Sequence, residues 1–205
     1  MPLEREEIVV PLRAGAVSEV MTCTGIRSTL VSASLLALRE RGLSDAYYKH
    51  LPPELHMTVQ TIVAGSWVPI DLAVAHYRAV DALGLAAAEQ VAIGSDVGVR
   101  VQASLLGVIF RLAKGGGATP WTALSIYPKL RERIFRGSDT RIVRIGPKDA
   151  RVENFGIPLV AIPYFRNAWR GMVIAGLGLF CRRVIVTELT SPHPSNTFVY
   201  KASWA

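Results

Sequence analysis

Four histidines, two cysteines and one dense aromatic–basic cluster are the side chains in this 205-residue sequence with the most chemistry to offer. His50 and His56 flank Pro52-Pro53, and no carboxylate or thiol stands at ligand spacing from either. His76 lies on a helical stretch with Asp71, but residues five apart do not share a helix face well. A metal centre needs three or four convergent ligands, and neither these positions nor His193 supply such a set. Cys23 and Cys181 are too few for a disulfide framework. Cys181 precedes Arg182 and Arg183, and neighbouring cations can lower a thiol pKa. No Gly-x-Ser-x-Gly elbow accompanies any serine. Lys114-Gly115-Gly116-Gly117 lacks the Gly-Lys-Ser/Thr continuation of a phosphate loop, and Gly176-Leu177-Gly178 falls inside a helical run. The densest cluster is Tyr164, Phe165, Arg166, Trp169 and Arg170. It can either hold an anionic or aromatic ligand through cation–π and charge-assisted contacts, or simply begin an amphipathic helix.

The elements that must position these residues change character along the chain. Ile8–Leu12 is β-prone and suits an added edge strand within an N-terminal arm, 1–24. Residues 25–136 read as mainly helical. The first helix spans Gly25–Arg41, with Thr24 as its cap and Gly42 as its stop; a short one follows from Ser44 through Tyr48. Pro52-Pro53 opens a third, with Leu55, Val59 and Ile62 on one face. Gly65–Pro69 reads as a turn into the helix Ile70–Leu83. Ala86–Ile93 and Val97–Lys114 read as two helices, or one interrupted at Gly94-Ser95, with Leu105, Val108, Ile109 and Leu112 as the second's buried stripe. Gly115–Gly117 is a flexible joint, and Thr119-Pro120 starts a helix to about Arg136, bent at Pro128.

Residues 137–205 then carry a strand–strand–helix–strand–strand order. Thr140–Ile145 and Ala150–Phe155 flank the turn Gly146-Pro147-Lys148-Asp149, the helix covers Tyr164–Cys181, and Val184–Leu189 and Thr197–Trp204 close the series. That order predicts a single α+β domain: a helical bundle packed on a four-stranded antiparallel sheet. Gly171, Ala175 and Gly178 give the helix a small-residue face suited to close packing.

Half the residues are hydrophobic, and the mean hydropathy of +0.30 suggests a dimer interface or an apolar cavity. No stretch is long and apolar enough to span a membrane, and no signal peptide is visible, so a cytoplasmic location is expected. The formal charge of +7 is uneven. Residues 1–128 hold 10 basic and 11 acidic side chains, whereas 129–183 hold 12 basic and 4 acidic, net +8. Such a segment can attract nucleic acid or anionic surfaces, or be an ordinary solvated face.

The strands around Gly146–Ala150, the Tyr164-Phe165-Arg166 helix start with Gly171, the Val184–Glu188 strand, and Trp67-Val68-Pro69 with Tyr77 together carry a resemblance over residues 25–204. The chain resembles a family of uncharacterised myxobacterial proteins of about its own length. More distantly it is similar to the 4-vinyl-reductase domain, the haem–nitric-oxide-binding domain and the TRAPP vesicle-tethering subunits. The resemblance implies helices on a four-stranded antiparallel sheet, dimerisation, and a small apolar cavity between helices and sheet. Haem-binding relatives carry a Tyr-x-Ser-x-Arg signature that is absent here, so no cofactor is expected. Vinyl-reductase-type domains end in a cysteine-bearing strand pair, and 188–198 holds no Cys, so no metal is carried over either.

Three functions remain open. The first is a non-enzymatic binding module, a homodimer holding a small apolar molecule or a protein partner, with Tyr77, Trp121, Arg166 and Trp169 as candidate ligand-binding residues. The second is a nucleic-acid or anionic-surface binder using 129–183. The third is an enzyme with a dispersed site, for which Arg166, His76 and Cys181 are the first suspects; no catalytic set is assigned.

Overall fold

In the structure, a computed structural model describing residues 6–105, 117–190 and 194–205, the helices and the sheet share one hydrophobic core cluster. The expected stripe Leu105, Val108, Ile109 and Leu112, the joint residues Gly115 and Gly116, and His193 lie outside the described residues or side chains. The main sheet is antiparallel and is built from β1 (Glu7–Val10), β5 (Asp139–Gly146), β6 (Asp149–Phe155), β8 (Phe198–Trp204) and β7 (Val184–Glu188), in that spatial order. Four of these strands are the C-terminal ones expected, and β1 adds itself beside β5 as the edge strand.

Register decides what the sheet shows to the helices. Ile142, Val152 and Tyr200 face one another across three strands, as do Ala150, Ala202 and Val186 across β6, β8 and β7. Neighbours directly opposite share a face, so these residues form the floor under the helices. The other face carries Arg141, Arg151, Glu153 and Lys201, with Val143 and Val199 buried beneath those long side chains.

Between β1 and β5 come β2 (Gly25–Arg27), α1 (Ser28–Glu40), α2 (Ser44–His50), α3 (His56–Gln60), β3 (Trp67–Pro69), α4 (Ile70–Asp81), α5 (Ala87–Leu105), α6 (Pro120–Ile134) and β4 (Phe135–Arg136). A second small sheet, β3-β2-β4, had no counterpart in the sequence reading. Trp67–Pro69 pairs with Gly25–Arg27 instead of turning, and this delays the first helix to Ser28. Gly25 makes the pairing possible, because a Cβ there would sit 2.9 Å from the Val68 carbonyl oxygen. The Gly94-Ser95 interruption is absent, and α5 runs through it. Helix α7 (Pro163–Leu177) ends before Cys181, and its first turn borrows a cap from α4: the Tyr164 N–H donates to Asp81 Oδ1 at 2.8 Å.

Helix α7 lies between α5 and β7 and also meets α4 and α6. Its crossing with α5 is a backbone contact. A Cβ on Gly171 would fall 2.0 Å from the Val91 carbonyl oxygen, and one on Gly94 would fall 1.9 Å from that of Ala168. Ser95 Oγ donates to the Gly171 carbonyl at 3.2 Å across the same crossing. The small-residue face of α7 therefore meets a helix of the same chain.

Candidate functional site

A partly open cavity of about 110 Å³ lies where α5, α6, α7 and β8 meet. Helical periodicity brings Tyr127 and Arg131 of α6 onto its wall, four residues apart and so on one face. Helix α7 contributes Trp169 and Val173 by the same spacing, and Gly98 of α5 opens the side opposite. The floor is Tyr200, which strand alternation places on the helix-facing side of β8. Most of the lining is aliphatic or aromatic carbon.

The polar atoms on this wall are unevenly matched. Tyr127 OH donates to Asn154 Oδ1 at 2.8 Å. Arg131, 1% exposed, donates from Nη2 to the Ser138 carbonyl at 2.6 Å and from Nη1 to Ser138 Oγ, and it stands 3.7 Å from Asp139. Asp139 in turn accepts the backbone N–H groups of Arg13, Ala14 and Thr140. By contrast, Trp169 Nε1, Tyr200 OH and Arg131 Nε have no hydrogen-bond partner among the described residues. Burial pushes the Tyr200 hydroxyl well above its ordinary pKa, and the nearby Tyr127 hydroxyl pushes the same way. Asn154 and the Trp169 indole lie near enough to oppose that shift, but only the Tyr127–Asn154 contact has hydrogen-bond geometry. Tyr200 therefore keeps its proton, and its hydroxyl can both donate and accept.

The four candidate ligand residues fall apart spatially. Trp169 lines the cavity. Tyr77 is buried behind it among His76, Tyr164 and Phe165, and shares with Trp169 only a void of about 10 Å³. Trp121 sits elsewhere, its indole donating to the Pro147 carbonyl at 2.9 Å, with Trp204 edge-on and Arg144 over its face. Arg166 turns to Glu188 of β7 at 3.0 Å and donates to the Val160 carbonyl at 2.7 Å. Arg170 likewise donates to the Val186 carbonyl. The aromatic–basic cluster thus divides: arginines tie α7 to β7, while aromatics enter the core. Tyr127, Arg131 and Tyr200 were missed by the sequence reading. Their signal was the four-residue spacing on α6 and the inward alternation of β8.

Two enzymatic suspects lose their chemistry on inspection. His76 contacts Tyr47 OH through Nδ1 at 2.8 Å and Ser34 Oγ through Nε2 at 3.1 Å, which resembles a nucleophile–base pair. All three side chains are buried, and the void beside Ser34 is about 10 Å³, barely one water. No substrate reaches Ser34 in this arrangement. Cys181 lies beyond α7 with Sγ facing the Leu177 and Arg183 carbonyl oxygens. Burial raises its thiol pKa, contrary to the activation its arginine neighbours suggested. No group of three or more His, Cys, Asp or Glu able to hold a metal occurs among the described residues, and no described helix is long and apolar enough to cross a membrane.

No protein-family model matches the chain, and a search of curated proteins returns no match. Solved structures do share its fold. An oxygen-binding H-NOX domain related to soluble guanylate cyclases superposes with a TM-score of 0.58 at 10% identity, over 87% of this chain and 95% of that one. A structure concerned with modulating haem redox potential through protein-induced porphyrin distortion gives a TM-score of 0.57 at 11% identity, over 86% of this chain and 98% of the other. At such identities the likeness is one of fold.

Proposed function

We propose that the protein is a ligand-binding sensor module that holds a small, mostly apolar molecule among α5, α6, α7 and β8, without haem and as a homodimer. The observation that carries this reading is the apolar cavity of about 110 Å³. Packed interiors rarely leave a void larger than a water molecule. A fold shared with an oxygen-binding domain supports small-molecule sensing as the general role. The resemblance to vinyl-reductase and TRAPP proteins belongs to the same proposal, since it implies a small apolar cavity between helices and sheet.

The residues present do not fit haem. An apolar cavity of about 150 Å³ takes one benzene, and a porphyrin carries four pyrrole rings plus its propionates. The cavity here is smaller still, and its lining offers no imidazole or thiol among the described residues. His76 faces Tyr47 and Ser34 with both nitrogens rather than the cavity.

The test is direct. Adding xenon to ¹⁵N-labelled protein is expected to shift the Trp169 indole resonance saturably, and haemin is expected to give no protein-bound Soret band. A Trp169 signal that ignores every apolar probe would remove the cavity reading. The homodimer is supported by apolar composition and by exposed Leu36, Met57, Val63 and Val99. Light scattering should return twice the 22.3 kDa chain mass.

A further inference from the structure

The small sheet β3-β2-β4 carries chemistry of its own, on the face turned away from the core. Ile26, Val68 and Phe135 lie opposite one another and are buried, so strand alternation turns Arg27, Trp67 and Arg136 outward. The guanidinium carbon of Arg27 lies 4.2 Å from the centre of the Trp67 ring, and that of Arg136 lies 4.8 Å from it. Because β3 and β4 flank β2, ring and Arg136 meet across it, where Gly25 supplies no side chain to part them.

Nothing neutralises this cluster. Arg141, Arg144 and Arg151 of the main sheet each hold a carboxylate. No ion pair among the described residues involves Arg27 or Arg136. Arg27 donates from Nε and Nη1 to the Arg133 and Gly65 carbonyls, which fixes the side chain and leaves its charge unmet. The acids nearest Arg136 in sequence are engaged elsewhere, Glu132 with Arg13 and Asp139 with Arg131 and backbone N–H groups.

Two unscreened guanidiniums against one indole suit a partner that brings negative charge and flat rings together. We infer that the outer face of the small sheet binds single-stranded nucleic acid, with phosphates on Arg27 and Arg136 and a base stacked on the platform they form with Trp67. Guanidinium planes take stacked bases as aromatic rings do, and stacking beside a basic track holds such strands without regard to sequence. A bilayer fits this face less well, because both guanidiniums lie against the indole that would have to insert.

A fluorescein-labelled oligothymidylate of about 12 nucleotides, within the span such folds cover, is the probe. Added to the full chain at about 50 mM salt, it is expected to gain anisotropy and to shift the Trp67 indole resonance of ¹⁵N-labelled protein. Arg136→Gln should weaken binding about fivefold and flatten the slope of log affinity against log salt by about 0.7. Trp67→Leu should cost at least about fivefold through the lost stack. Arg39→Gln, at the far end of α1, should change nothing. Absent binding at low salt, or affinity unchanged in both patch variants, would overturn the inference. Equal affinity for the strand paired with its complement would remove the stacked base, and binding to phosphatidylserine vesicles alone would put a membrane in its place. If Trp67→Leu fails to fold, Arg136→Gln and the Trp67 resonance of the unmutated protein decide.

Discussion

Inside the helical layer His76 is bonded through both ring nitrogens, to Tyr47 and to Ser34, and is fully buried. Burial lowers its pKa from 6.5 to about 3. The consequence for stability has a definite sign. Above pH 6.5 the ring is neutral in folded and unfolded chains alike, so the stability His76 protects is fully present. As the pH falls from 6.5 towards 3, the unfolded chain takes the proton first and stability is lost at up to about 1.4 kcal/mol per pH unit. Urea unfolding at pH 7.5, 6 and 5 should show this decline. His76→Gln should start less stable, having lost buried hydrogen bonds, yet lose distinctly less on acidification across the same interval. Parallel declines in the two proteins would show that His76 is not the titrating group. Burial likewise pushes the Tyr164 hydroxyl up to about 12, so it keeps its proton near neutrality.

Helix α7 is the element on which everything else is hung. It meets α5 at Gly94 and Gly171, takes its first-turn cap from Asp81, and is tied to β7 by Arg166 and Arg170. Gly171→Ala would drive a methyl group to 2.0 Å from the Val91 carbonyl, so the helices must separate. The expected cost is about 3 kcal/mol or more by denaturant unfolding. Because Trp169 and Val173 ride on the same helix, apolar-probe affinity should fall together with stability. A fully stable Gly171→Ala protein would mean that the crossing is looser than its backbone contact implies. The glycine spacing of α7 and the four C-terminal strands were legible in sequence because both are local periodicities. The small sheet was not, since Gly25–Arg27 and Trp67–Pro69 carry too few residues to show alternation and are defined only by pairing with each other. The cavity was half legible. Trp169 stood out by type, whereas Tyr127, Arg131 and Tyr200 become a site only once α6 is laid over β8.

At the scale of the whole molecule, the +8 segment meets acids supplied largely from elsewhere in the chain. Arg151 binds Glu6 through two nitrogens, at 2.6 and 2.9 Å, and Arg144 binds Glu7 at 3.0 Å; Glu7 opens the sheet's edge strand and Glu6 immediately precedes it. Arg151 also shares Glu153 with Arg141, at 2.8 and 2.5 Å. Arg151 holds the Glu6 carboxyl below its ordinary pKa, so this screen persists at neutral pH. Adding β1 therefore converts the outer face of the sheet from a basic strip into a network of alternating charge. Each exposed pair contributes little to stability, but together they determine the field a polyanion meets. Glu6→Gln with Glu7→Gln should leave the melting temperature within a few degrees. It should also raise the salt needed to elute the protein from heparin, because Arg144 and Arg151 are then free to displace counterions. Elution at an unchanged salt concentration would mean that these arginines already engage polyanions in the unmutated protein. The nucleic-acid reading of the basic segment would then regain its footing at the expense of the cavity.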